Sequence, residues 1–138
     1  MTAQEVALQS YQLFKNGDIE GLKALCHDDY TMTLNGMHRL SGTYHGADSF
    51  VQDLLANIPA ALPNFSLKVI DSFGSEDGTK AFVIVDAEAD GLKGLFGHYM
   101  RCEDGKIVEF IAFDDSQKMA HAMPVSYTHL RAHETDYY

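Results

Sequence analysis

The stretch over residues 94–115, GLFGHYMRCEDGKIVEFIAFDD, constrains the fold more than any other part of the chain. Two runs rich in Phe, Ile, Val and Tyr flank Glu103-Asp104-Gly105, where a glycine takes positive φ without a Cβ clash. That pattern predicts a β-hairpin. Strand side chains alternate with a period of two, so the loop length decides which of them share a face. A two-residue loop sets His98 beside Ile111. A three-residue loop closed by Gly105 instead sets Phe96, His98 and Met100 on one face with Val108, Phe110 and Ala112. The second register is preferred, because it leaves His98 as the single polar group in an apolar lining. Tyr99, Arg101 and Glu109 then share the other face with Leu95, Ile107, Ile111 and Phe113. A sheet apolar on both faces needs helices or a cavity on one side and a partner subunit on the other, so a homodimer through the sheet is expected.

Upstream, Thr2 with Glu5 forms a capping-box start, and Ala7, Tyr11 and Phe14 fall on one helical face. Asn16-Gly17 ends that helix, and Asp18 caps a second whose buried stripe is Ile19, Leu22 and Leu25. Residues 30–35 alternate as a strand, with Tyr30, Met32 and Leu34 on one face. Residues 36–46 read as a loop. A third helix carries Phe50, Val51, Leu54, Leu55 and Ile58 at core spacing, and Pro59 is expected to stop it. From Phe65 the pattern changes to strands. Ala81, Val83, Val85, Ala87 and Ala89 are all small, which suits packing against another sheet or subunit. Phe82, Ile84, Asp86 and Glu88 share the opposite face, which is assigned to the cavity. Ser116 begins a short helix. Three helices, one early strand and a four-stranded meander make an α+β pattern.

One domain with a real core fits 138 residues. A net charge of -10 argues against binding nucleic acid through phosphates, or an anionic membrane surface, because either needs a basic face. No apolar run approaches the ~20 residues of a membrane-spanning helix, and no signal peptide is visible. Cys26 and Cys102 stand far apart outside any Cys-x-x-Cys pattern, so reduced thiols in a cytoplasmic protein are expected. The domain is assigned to residues 1–123. Residues 124–135, PVSYTHLRAHET, resemble a translated sequencing adaptor, so 124–138 is read as a non-native tail that enters no site argument.

Four segments carry a likeness to a known superfamily. They are Asn16-Gly17-Asp18, His27-Asp28-Asp29-Tyr30-Thr31, Ser41-Gly42-Thr43-Tyr44-His45-Gly46 and Asp104-Gly105-Lys106-Ile107. With the element order, they make residues 3–120 resemble the nuclear transport factor 2-like superfamily, which includes ketosteroid isomerase, SnoaL-type polyketide cyclases and limonene epoxide hydrolase. The resemblance implies a cone-shaped curved mixed sheet wrapped by three N-terminal helices. It also implies a pocket between the sheet and the helices, and dimerisation through the outer face. It does not carry the reactions across. The isomerase's Asp base falls at or next to Leu34. Its oxyanion Tyr falls near Ser10, with Tyr11 beside it expected to face elsewhere, and its oxyanion Asp falls at about His98. Of the epoxide hydrolase's Asp-Arg-Asp set only Asp86 matches. Ile84 and Ala112 stand at the other two positions.

The residues nevertheless permit one chemistry. On an apolar face the His98 pKa falls by desolvation, leaving a neutral imidazole able to accept or donate a proton. Asp86 or Asp114 at the cavity rim would orient it, and Tyr30 would donate a hydrogen bond to a carbonyl oxygen. The ligand-lining set is Tyr11, Phe14, Met32, Leu34, Phe82, Ile84, Phe96, Met100, Phe110 and Ala112. A small apolar carbonyl compound is the expected partner, with no cofactor and no metal. His27, His38 and His45 lie near Asp28 and Asp29, but no spacing puts them on one rigid face, so they read as loop and surface residues. Two readings follow. One is a cofactor-independent isomerase, cyclase or hydratase. The other is a non-catalytic ligand-binding or dimerisation module in which His98 is a satisfied core histidine. A carboxylate oxygen within ~3 Å of His98 would favour the enzyme.

Overall fold

The computed structural model of the protein describes residues 1–123. Helices α1 (Ala3–Lys15) and α2 (Ile19–Ala24) come first, followed by strands β1 (Cys26–Leu34) and β2 (Gly42–His45). A broken helical stretch follows: α3 (Ala47–Ser49), a π turn (Phe50–Leu54), a 3-10 turn (Leu55–Asn57) and α4 (Ile58–Ala61). The meander is β3 (Ser66–Gly74), β4 (Lys80–Ala89), β5 (Leu92–Glu103) and β6 (Lys106–Phe113), closed by α5 (Ser116–Ala122). The starts of the first two helices are fixed locally. The Thr2 hydroxyl accepts from the Glu5 N–H at 3.2 Å while Glu5 Oε1 accepts from the Thr2 N–H at 2.9 Å. Asp18 caps α2 by accepting from the Gly21 N–H at 2.8 Å.

The strands form one sheet in the order β2-β1-β6-β5-β4-β3, with β1 parallel to β6 and every other neighbour antiparallel. This is the expected α+β architecture, a curved, unclosed mixed sheet with helices on its inner side. Register shifts in the β1–β6, β3–β4 and β5–β6 pairs mark irregularities of the kind that bend a sheet.

The β5–β6 hairpin reaches the expected facing by an unexpected route. Glu103 pairs with Lys106, so the loop holds only Asp104 and Gly105, both at positive φ (54° and 74°). Such a turn matches the right-handed twist of the strands. By itself it would set His98 beside Ile111. A bulge cancels the difference: Cys102 pairs with Ile107 but Arg101 pairs with Glu109, leaving Val108 as the extra residue. Beyond the bulge His98 pairs with Ala112, and Met100 with Phe110. Ile107, rather than Val108, therefore reaches the inner side.

Strand β4 corrects another expectation. Its small residues meet α1, not a second sheet or subunit: Ala81, Val83, Val85 and Ala87, with Ala3, Val6 and Ala7 of α1, are all 3% exposed or less. Small side chains let a helix lie close on a strand. The larger Phe82, Ile84 and Asp86 are thereby turned to the outer face. Phe82, 37% exposed, lies across Gly97, where an added Cβ would come within 2.5 Å of its ring, and its ring centroid is 6.4 Å from that of Phe113. Two smaller corrections concern the segment before β3. Part of the expected loop pairs with β1 as β2. Pro59 does not stop the helix but sits in the first turn of α4, where a missing N–H loses no helical bond.

Candidate functional site

Between the inner face of the sheet and the helices lies a cavity of about 100 Å³. Helix α1 contributes Ser10, Tyr11 and Phe14, because its buried stripe faces the sheet. Strand β1 contributes Tyr30, Met32 and Leu34 through strand alternation. The hairpin contributes Phe96, His98 and Met100 from β5, and Phe110 and Ala112 from β6. These positions are the ones assigned to the lining from sequence, apart from Ser10. Phe82 and Ile84 are not among them, for the reason given by the β4 register. The sequence reading did not assign to the lining Leu22 of α2 and Leu25 just after it, Phe50, Leu54 and Ile58 of the broken helix, or Phe65, Leu67, Ile107 and Met119. The signal was present in part, since the buried stripes of the second and third helices were legible without showing what they bury against.

His98 is 4% exposed and is, among the described residues, the sole imidazole in the wall. Its ring edge meets Phe110 in a T-shaped contact, with centroids 5.0 Å apart. Its Nδ1 lies 2.6 Å from the Tyr11 hydroxyl. Burial pushes the imidazole pKa down to about 4, so the ring is neutral near pH 7. Burial likewise raises the Tyr11 phenol, so the pair is uncharged. Among the described residues His98 Nε2 has no hydrogen-bond partner. Tyr11 was expected to face elsewhere than the oxyanion position. Instead one helical turn beyond Ala7 brings its hydroxyl to the histidine.

Neither expected carboxylate reaches His98. Asp86 lies on the outer face opposite Leu95, with its Oδ2 3.4 Å from Lys93 Nζ. Asp114 is buried, but its Oδ2 accepts from His38 Nε2 at 2.9 Å. Its Oδ1 has no partner among the described residues. His38, read from sequence as a surface residue, is thus a buried clamp between the loop before β2 and the end of β6. The following Asp115 caps α5, accepting from the Lys118 N–H at 3.0 Å. Tyr30 lies in the wall with its ring edge-on to Phe50, centroids 5.4 Å apart. Its hydroxyl has no partner among the described residues, and burial pushes its pKa well up. Cys26 also lines the cavity as a protonated thiol, its pKa pushed up to about 11 by burial. Among the described residues no three metal-ligating side chains cluster, and no helix is long and apolar enough to cross a membrane.

The architecture matches solved structures over nearly their whole length. An NTF2-like protein of unknown function from Burkholderia pseudomallei superposes with a TM-score of 0.77 at 22% identity, covering 88% of this chain and 96% of that one. TerC, co-crystallized with polyporic acid, gives a TM-score of 0.74 at 25% identity, covering 86% and 95%. A candidate polyketide cyclase from Sinorhizobium meliloti gives 0.65 at 16% identity, covering 78% and 93%. A search of curated proteins finds no match. The profile of the SnoaL-like domain matches residues 7–110, a span that runs from the Tyr11 helix to Phe110 of the hairpin. With the helix-covered curved sheet around this cavity, that match identifies the chain as a member of the SnoaL-like domain family, built on the NTF2-like fold.

Proposed function

We propose that the protein is a SnoaL-like pocket protein that holds one small, uncharged, largely apolar compound carrying a carbonyl oxygen. The observation that carries this reading is one imidazole, tied to the Tyr11 hydroxyl, in a wall whose other described residues are apolar apart from Ser10, Cys26 and Tyr30. Among the described residues no Lys or Arg lines the cavity, so a charged ligand would be buried there without a counter-ion at a cost of several kcal/mol. A volume of about 100 Å³ is on the scale of the apolar cavities (~150 Å³) that accept benzene. The relative TerC, crystallised with polyporic acid, supports a small-molecule occupant.

A catalytic version would rest on the neutral imidazole in the wall. The protein would then be a cofactor-independent isomerase, cyclase or hydratase, with His98 exchanging a proton next to the carbonyl and Tyr30 bonding its oxygen. The absence of any Asp or Glu from the cavity wall, among the described residues, weighs toward binding without turnover. A thermal-shift screen of small cyclic ketones and enones, run on wild type and His98→Ala with product analysis of every hit, tests both. Hits that bind wild type and lose affinity in the variant support the pocket reading, and product formation promotes the catalytic one. Equal binding and turnover by the variant remove His98 from the site.

The outer face supports a homodimer. Phe73, Phe82, Leu95 and Phe113 are 37% to 67% exposed on one side of the sheet, and contiguous apolar patches of that kind mark interfaces. Sedimentation should show a dimer that Leu95→Glu converts to monomer. A monomeric wild type at high micromolar concentration would end the idea.

A further inference from the structure

We propose that Tyr11 is a positioning residue that holds His98 as its Nε2–H tautomer, so that the cavity offers its ligand a neutral hydrogen-bond donor and not a base. The inference deepens the pocket reading and, for its consequence to a ligand, rests on it.

Two arrangements of the protons fit a 2.6 Å contact between Tyr11 Oη and His98 Nδ1. In one, the phenol O–H donates to Nδ1, and the ring carries its proton on Nε2. In the other, Nδ1–H donates to the phenol oxygen, and Nε2 is a bare lone pair. A neutral imidazole has one donor and one acceptor, and a phenol oxygen can both donate and accept. In the first arrangement, Nε2–H and the acceptor side of the phenol oxygen are left without a protein partner among the described residues. In the second, both the Tyr11 O–H and Nε2 are left over, because the described residues offer the phenol no other acceptor. Each arrangement leaves one donor and one acceptor over, so the strength of the bond decides: the phenol O–H is the more acidic donor and the imidazole nitrogen the more basic acceptor, which favours O–H donating to Nδ1. The distance points the same way. O–H donors make shorter bonds than N–H donors, for which ~2.9 Å is usual.

Ring geometry agrees. The two planes are within 8° of parallel and their centroids are 5.8 Å apart. With a contact as short as 2.6 Å, that separation excludes one ring lying over the face of the other. The rings meet edge to edge, so the hydroxyl approaches Nδ1 from the side of the ring where its lone pair lies. Phe110 packs against the imidazole and limits its rotation. The remaining polar groups in the wall are the Tyr30 hydroxyl, the Cys26 thiol and the Ser10 hydroxyl, and the last already donates to Ala7 O at 2.6 Å. A ligand would therefore be chosen for an acceptor oxygen that faces Nε2–H.

Long-range proton–nitrogen NMR on uniformly labelled protein at pH 7 tests this without any ligand. The expected wild-type spectrum shows Nδ1 at an unprotonated shift and Nε2 at a protonated one. In Tyr11→Phe, Nδ1 should move toward the average of the two tautomers. A protonated Nδ1 in wild type overturns the proposal, as does a Tyr11→Phe spectrum with unchanged nitrogen shifts. The wild-type spectrum decides the assignment by itself, even if the variant folds poorly. A second arm titrates cyclohexanone and methylenecyclohexane, which differ by the acceptor oxygen. Cyclohexanone should bind at least tenfold more tightly, and the preference should vanish in His98→Phe. If neither compound binds while the wild-type nitrogens are as expected, the pocket reading fails and the tautomer assignment stands. Equal binding of both overturns the selection by Nε2–H.

Discussion

Among the described residues two histidine rings are buried, and they are held in opposite ways. His98 lines the cavity with a phenol at one nitrogen and, among the described residues, no partner at the other. His38 sits at the end of the sheet with both nitrogens engaged: Nδ1 accepts from the Leu40 N–H at 3.2 Å, and Nε2 donates to Asp114 at 2.9 Å. A carboxylate beside a histidine is the arrangement expected of an acid–base site, and the protein has one. It is spent on joining a loop to β6. The histidine with a free nitrogen is the one whose surroundings keep it uncharged. The pair that looks catalytic is thus a structural one, and the proposed ligand contact falls to the histidine that looks like core.

The largest test of this contrast is at the clamp. His38→Ala leaves the buried Asp114 carboxylate without its partner, and breaking a buried pair from one side costs ~3–5 kcal/mol. Urea unfolding should show that loss, with ligand binding to the remaining folded protein unchanged. A stability within ~0.5 kcal/mol of wild type, typical of surface positions, would mean that His38 clamps nothing.

The next test exploits the desolvation of His98. Above its ordinary value of 6.5 the ring is neutral in the folded and unfolded chains alike and adds no pH dependence. Between 6.5 and about 4 the unfolded chain takes up a proton that the folded chain refuses. Stability from this group therefore falls as pH falls, by roughly 3 kcal/mol at pH 4, and the loss levels off below that. Unfolding measured from pH 7 to 4 should lose this part of its slope in His98→Gln. Identical slopes for the two proteins would mean that the ring is not desolvated, and the contrast with His38 would collapse.

The smallest expected effect sharpens the boundary of the comparison. Residues 124–138, read as a non-native tail, lie outside the described residues. A chain ending at Met123 should melt within about 1 °C of the full chain, because a surface change of ~0.2 kcal/mol moves Tm by no more than that in a domain of this size. A fall of several degrees would show that the tail contributes to stability.

The readings that succeeded from sequence were those set by short-range periodicity. Strand alternation placed Phe96, His98 and Met100 together, and Tyr30, Met32 and Leu34 together, whatever the rest of the chain did. Capping residues fixed where α1 and α2 begin. The failures came where a pattern had two faces and nothing local said which was inner. On β4 the larger side chains were taken for the lining, yet α1 needed the small ones beneath it. Asp86 went outward with them to meet Lys93. The hairpin shows the same limit in another form, since a shorter loop and the bulge at Val108 gave the same facing as a longer loop.

What the sequence determined by itself, then, was an α+β chain with one imidazole among apolar neighbours, because side-chain period and turn chemistry act within a few residues. What only the tertiary structure decided was who stands beside each buried polar group. Tyr11 and His98 are 87 positions apart, and His38 and Asp114 are 76. Such partners are chosen by how a helix and a loop pack on the sheet to satisfy every buried donor, and no local pattern encodes that choice.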